Sequence, residues 1–264
     1  MDSQAASRDA SAMAHRILLL GGTFEARALA GELARRDDLA VTLSLAGRTK
    51  SPVQMPVPVR IGGFGGAEGL VAWLRGKNIA VLVDATHPYA AQISANAAMA
   101  ARMAGLPLLA LRRAAWRAEP GDDWREVADI PAALEAIGPP PRRIFLALGR
   151  QEVAGFAAAP QHRYVIRSVD PILPRLPLAD VTYLTARGPF AVEAEQALLG
   201  EHRIEAIICK NSGGMASHGK IVAARALGLP VVMLARPALP EVPYCATVAE
   251  ALTWLDHALR LRGV

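Results

Sequence analysis

Aromatic residues make up only 5% of the 264-residue chain, and there are two cysteines, Cys209 and Cys245. Scarce aromatics argue against an all-β sandwich, whose strands draw heavily on aromatic and β-branched side chains. The cysteines form no CxxC pair and have no histidines at ligand spacing, which excludes a disulfide framework and a structural zinc site. No metal centre is expected. No apolar segment approaches the roughly 18 residues needed to span a bilayer, so membrane contact is not expected either. Residues 1–13 are small and polar, without the apolar stretch of a signal peptide, and are read as a disordered lead-in. These absences together point to the cytoplasm.

What is present suits helices packed on sheets: 52% hydrophobic residues, 20% charged, with alanine and leucine abundant. The formal net charge is +5, from 29 basic and 24 acidic residues. That balance suits an anionic partner, but no Lys/Arg run stands alone and no aromatic residues interleave with basic ones, so nucleic acid is not the expected partner.

From Arg16 onward, short apolar runs alternate with helical patterns. Strands are predicted at Arg16–Leu20, Ala40–Ala46, Ala80–Asp84 and Leu106–Leu111, with helices at Phe24–Arg36, around Leu70–Leu74, and from Pro88 to Ala104. Residues 113–142 carry fewer signals, a helix near Ala132–Ala136 and a triple proline, and read as the passage between domains. Strands then resume at Ile144–Leu148, Tyr164–Val169, Thr182–Thr185, Ile204–Cys209 and Val231–Leu234. Helices fall near Glu152–Ala158, Phe190–Leu199, Lys220–Leu227 and Val248–Leu261. The rhythm predicts an α/β protein of two doubly wound domains with mainly parallel sheets, 14–113 and 114–264, and a cleft between them.

Gly21-Gly22-Thr23 joins the first strand to the first helix. Glycines there let the backbone approach a pyrophosphate, which free N–H groups at the helix start can bind. The G-x-G-x-x-G pattern is incomplete, with Ala26 at the third glycine position, and a tight turn without ligand is the other reading. Glu25, in the first helical turn, joins the candidate set. The second strand ends in Ser44-Leu45-Ala46-Gly47-Arg48, where an NAD site would carry an acid. An arginine in place of that acid favours the 2′-phosphate of NADPH, because a guanidinium pairs with phosphate that a carboxylate would repel. Gly62 through Gly66, with Gly63 and Phe64 at its centre, is either a wall over a ligand or a surface loop pinned by Phe64. Asp84-Ala85-Thr86-His87-Pro88-Tyr89 ends the third strand. There Thr86 and His87 either face the cofactor or cap the next helix.

Cations follow six of the nine predicted strands: Arg48, Arg112-Arg113, Arg150, Arg187, Lys210 and Arg236. In a doubly wound fold these ends share one edge, so they can select a substrate bearing several carboxylates or phosphates; alternatively each is a separate solvated charge. Arg113, Arg150, Arg187, Lys210, Ser212 and Gly213 are the candidate substrate-binding residues. Lys210-Asn211-Ser212-Gly213-Gly214 is a glycine-rich strand-to-helix turn without P-loop order.

Gly21-Gly22-Thr23, Ser44 through Arg48, Gly62 through Gly66 and Thr86-His87-Pro88-Tyr89-Ala90 stand in the order seen in precorrin-6A reductases. Arg187-Gly188-Pro189-Phe190 and Lys210 through Gly214 continue the resemblance, which covers nearly the whole chain beyond Met13. The resemblance implies two Rossmann-like domains and NADPH-dependent reduction of precorrin-6A to precorrin-6B in cobalamin biosynthesis. The partner it implies is a tetrapyrrole polycarboxylate, metal-free or containing cobalt, with transient contacts to enzymes of neighbouring steps. Lys210 would stabilise developing charge or anchor a carboxylate. His87, Tyr89 and Asp84 are the candidate proton donors, with water as a further source. The competing expectations are an NADPH-dependent reductase or epimerase of another anionic metabolite, and a dinucleotide-sensing protein without turnover.

Overall fold

The computed structural model of the protein describes residues 14–47 and 54–261. Arg48 lies outside the described residues. The chain runs β1 (His15–Leu20), α1 (Phe24–Leu33), β2 (Leu39–Leu45), β3 (Val59–Ile61), α2 (Gly66–Gly76), β4 (Ile79–Asp84), α3 (Ala91–Ala104) and β5 (Leu108–Leu111). It continues through β6 (Trp124–Val127), α4 (Ile130–Ile137), β7 (Arg143–Ala147), β8 (Arg163–Ser168), β9 (Val181–Thr185), α5 (Val192–Glu201), β10 (Ala206–Lys210), α6 (Gly219–Leu227) and β11 (Val231–Leu234). The last elements are β12 (Tyr244–Cys245) and α7 (Val248–Arg260).

Two parallel six-stranded sheets result, in the orders β12-β5-β4-β1-β2-β3 and β6-β11-β10-β7-β8-β9. Helices cover both faces of the first, which is why the central strands read as unbroken apolar runs: Ile17–Leu20 and Val81–Val83 are fully buried or nearly so. On one face Leu29 and Leu33 of α1 meet Leu255 and Leu259 of α7. On the other, Leu70 and Leu74 of α2 join Ala97 and Ala101 of α3.

Each sheet has the 3-2-1-4-5-6 order of dinucleotide-binding folds, with its sixth strand drawn from elsewhere. β6 follows β5 in the chain yet pairs with β11 in the second sheet, and β12 follows β11 yet pairs with β5 in the first. The chain therefore divides into one unit ending at Ala114 and resuming at Pro237, and another spanning Ala115–Arg236. The expected division placed everything after residue 113 in the second half. Instead the C-terminal segment returns to the first sheet, because α7 buries Ala251, Leu255 and Leu259 against α1 and β1. Its start is fixed by a capping box, in which Thr247 and Glu250 satisfy each other's backbone N–H groups.

Local differences have local causes. The helix expected from Pro88 begins at Ala91, because residues 87–90 form a turn closed by the Ala90 N–H on the His87 carbonyl (2.7 Å). The helix expected at Glu152–Ala158 is a 3₁₀ turn over Val153–Ala158.

Candidate active site

In the first unit the strand order reverses between β1 and β4, and the turns that follow these strands are tied together. Thr23 Oγ1 accepts the Ala26 N–H (3.0 Å), capping α1, and donates to the Ala85 carbonyl beyond β4 (2.9 Å). Gly22 adopts φ +125°, a conformation that strains any L side chain, and a Cβ there would meet no atom within 4 Å. The turn therefore leaves open space directly before the N-terminus of α1, where free backbone N–H groups bind anions. Thr23, Glu25, Thr86, Pro88, Leu111 and Arg113 line a narrow crevice at the same edge.

Glu25 and Arg113 pair with each other (2.7 Å), so the acid in the first helical turn is neutralised by a cation from the end of β5. Neighbouring Arg112 reaches the Pro240 carbonyl (3.0 Å), while its Nε and Nη2 are buried without a hydrogen-bond partner. Asp84, 4% exposed, accepts from the Thr86 N–H (3.1 Å), Thr86 Oγ1 (2.7 Å) and Ser94 Oγ (2.6 Å). Its carboxylate braces the turn. His87 Nδ1 accepts the Tyr89 N–H (3.3 Å), and the two rings lie 5.6 Å apart. A neutral imidazole accepting at Nδ1 carries its proton on Nε2, the tautomer able to donate from that side.

Residues 62–66 are pinned at their centre. The Arg60 guanidinium lies 3.8 Å over the Phe64 ring and donates to the carbonyls of Gly62 and Gly63 (each 2.5 Å). Arg60 also approaches Ser44 Oγ at the end of β2 (3.4 Å), and Phe64 packs edge-on against Trp73. Ala46 and Gly47 follow directly, at the limit of the described residues.

The second unit reverses its strand order between β7 and β10, and Lys210-Asn211-Ser212-Gly213 lies at that point. Lys210 Nζ pairs with Glu152 Oε1 (2.5 Å). Asn211, 6% exposed, accepts the Trp116 N–H (2.8 Å) and donates to the Trp116 carbonyl (3.0 Å). Ser212 Oγ meets Ser217 Oγ (3.1 Å), and Gly213 has φ +72°. Arg236 donates from Nε to the Asn211 carbonyl (2.8 Å). Arg150 and Arg187 are exposed after β7 and β9. Met215, 79% exposed, adds an apolar surface directly after this turn.

Beneath the turn lies Lys220, 3% exposed, which donates to the Ser217 carbonyl (2.6 Å) and lies 4.7 Å from the Trp116 ring centre. Burial pushes its pKa down from 10.5. A lysine depressed in this way costs stability wherever it is charged; the cost is complete below its folded pKa and vanishes as pH rises past 10.5. Lys220→Met should therefore stabilise the fold at pH 7 by about 1 kcal/mol, and that gain should shrink as pH rises toward 10. Thermal unfolding across pH checks this, and a gain independent of pH would contradict it.

Comparison with known proteins covers almost the whole chain. Residues 16–256 match the family model described as "Precorrin-6x reductase CbiJ/CobK". The chain belongs to the precorrin-6x reductase family. A Sinorhizobium precorrin-6A reductase is 52% identical over 252 residues, covering 95% of this chain and 97% of the relative. A cobalt-precorrin-6A reductase from Priestia megaterium is 29% identical, over 92% of this chain and 97% of its own. The solved structure titled "CobK precorrin-6A reductase" is 46% identical, with a TM-score of 0.87 over 92% of this chain and 97% of that one.

Gly21, Gly22, Thr23, Glu25, Thr86 and His87 lie together beyond the strand ends of the first sheet, and Lys210, Ser212 and Gly213 together beyond those of the second. Arg113 belongs to the first group. Sequence reasoning missed Arg60, Trp116, Glu152, Arg167, Glu195 and Lys220. Arg60 sits on a three-residue strand too short to register, and the buried charges look like ordinary surface residues in a pattern of polar and apolar letters. Among the described residues no group of three or more His, Cys, Asp or Glu side chains can hold a metal ion, and no helix is long and apolar enough to cross a membrane.

Proposed function

We propose that the protein is a cytoplasmic enzyme that reduces precorrin-6A to precorrin-6B with NADPH, a step of cobalamin biosynthesis. The observation that carries this reading is the coincidence of full-length family similarity with a glycine turn, at the β1–β4 reversal, that leaves room for a pyrophosphate. The substrate is taken as metal-free, because the relative named for the cobalt-free substrate is 52% identical and the one named for the cobalt form 29%.

NADPH fits this chain. Gly22 and the α1 N-terminus would hold its pyrophosphate, with Thr23 keeping the turn in place. Gly63 and Phe64, locked by Arg60, would flank the adenosine, and Ala46, Gly47 and Arg48 its 2′-phosphate, where no acid stands to repel it. Thr86 and His87 would border the nicotinamide half. Bound there, it would supply hydride chemistry to an electrophilic carbon of the macrocycle.

The chain's own groups supply the rest. Arg150, Arg187, Ser212 and Gly213 hold substrate carboxylates, and Met215 gives the ring an apolar contact. Lys210 offsets the negative charge that develops as hydride arrives, without having to give up its proton. A proton must reach the neighbouring position, and His87 Nε2, with Tyr89 beside it, would donate it from the cofactor unit. Asp84 serves indirectly, by fixing the Thr86 turn.

Arg113→Ala leaves the Glu25 carboxylate unneutralised where the pyrophosphate binds, so NADPH affinity should fall about tenfold, ~1.4 kcal/mol. Removing both partners together should restore most of it. Calorimetric titration of the single and double variants tests the proposed cofactor site; unchanged affinity in Arg113→Ala would place the pyrophosphate elsewhere.

A further inference from the structure

The two sheets repeat one strand order, so the β7–β10 reversal corresponds to the β1–β4 reversal that leaves open space for an anion. The second reversal is filled. After β1 comes a ten-residue helix with a capped N-terminus, whereas after β7 comes only a 3₁₀ turn. Glu152 precedes that turn and folds its carboxylate back over Gly149. A Cβ at residue 149 would lie 2.4 Å from Glu152 Oε2. The other carboxylate oxygen accepts from Lys210 Nζ at 2.5 Å. The Lys210 and Glu152 side chains retain 17% and 29% of their exposure, so the pair lies at the rim of the sheet edge, within reach of a ligand.

We propose that Glu152 is the positioning residue for Lys210, and that residue 149 is glycine because only a missing side chain admits the Glu152 carboxylate to its place over the backbone. The inference rests on the proposed role of Lys210 in reduction. Lysine has four rotatable side-chain bonds, so a carboxylate at a fixed place limits the orientations it samples. A carboxylate fixed at one end by the narrow space over Gly149 holds the ammonium at the end of β10. It also occupies the space over the turn backbone that stays open at Gly22 in the first unit.

Gly149→Ala offers a clean test. The nearest atom to the new methyl group is the far end of a flexible side chain, so the carboxylate is displaced while the fold stays intact. Gly149→Ala and Glu152→Gln should each lower kcat about tenfold, with NADPH affinity and thermal midpoint unchanged. The double variant should be no slower than either single one, because both changes break the same contact. Lys210→Ala is measured alongside. If Lys210→Ala reacts at the normal rate, the role of Lys210 itself fails. If Lys210→Ala is slow while Gly149→Ala and Glu152→Gln react normally, or if the two effects multiply in the double variant, the positioning role of Glu152 is overturned.

Discussion

Arg167→Ala is expected to destabilise the protein by about 3–5 kcal/mol, the largest single loss of stability among its ion pairs. Arg167 on β8 and Glu195 on α5 form a two-pronged pair with side-chain exposures of 6% and 2%, and the second contact, Nη2 to Oε2, is 2.8 Å. The guanidinium is stacked 3.7 Å over the Phe190 ring and lies 4.9 Å from that of Phe145. Truncating the arginine strands the Glu195 carboxylate in the interior and removes both ring contacts. The double variant Arg167→Met/Glu195→Leu, which removes both charges of this pair, should recover most of the loss. Chemical denaturation of both variants decides the matter; a loss below about 1 kcal/mol for Arg167→Ala would mean that water reaches the abandoned carboxylate.

Lys210→Ala is expected to slow single-turnover reduction by about 10²-fold while NADPH binds normally, as when one preorganised electrostatic contact is removed from a reacting site. Lys210 ends β10 at the point where strand order reverses, the position from which a parallel sheet presents groups to a ligand. If the variant instead binds substrate weakly but reduces it at the normal rate when saturated, the ammonium anchors a carboxylate and takes no part in the chemical step.

The α/β alternation and the glycine turns were legible because their physics is local. Ile17 through Leu20 is a continuous apolar run because both sheet faces are covered, and Gly21-Gly22 interrupts it where the chain must turn. The return of the C-terminal segment was not legible. β12 has two residues, Tyr244 and Cys245, too few for a period of two to appear, and its partner β5 lies more than 130 residues earlier in the chain. β6 failed for a different reason: Trp124-Arg125-Glu126-Val127 is an edge strand, paired only with β11, so it carries polar residues that resemble a loop.

The candidate site divided in the same way. Positions fixed by strand ends, such as Thr86 and Lys210, followed from the alternation alone. Pairings did not. The sequence presents Arg113 as one more rim cation for substrate, whereas its guanidinium meets Glu25, 88 residues away in the chain. Asp84 reads as a candidate acid, yet three donors from Thr86 and Ser94 hold it in the turn. Which cations remain for substrate depends on such internal pairs, and these are properties of the folded geometry.

The most direct test of the central claim uses NADPH carrying deuterium at the transferable position of the nicotinamide, incubated anaerobically with the protein and precorrin-6A. One cofactor should be oxidised per macrocycle, the product should gain one deuteride and one proton, and NADH should support the reaction far more slowly. Oxidation of NADPH without deuterium in the macrocycle, or an unchanged tetrapyrrole after prolonged incubation, would contradict it.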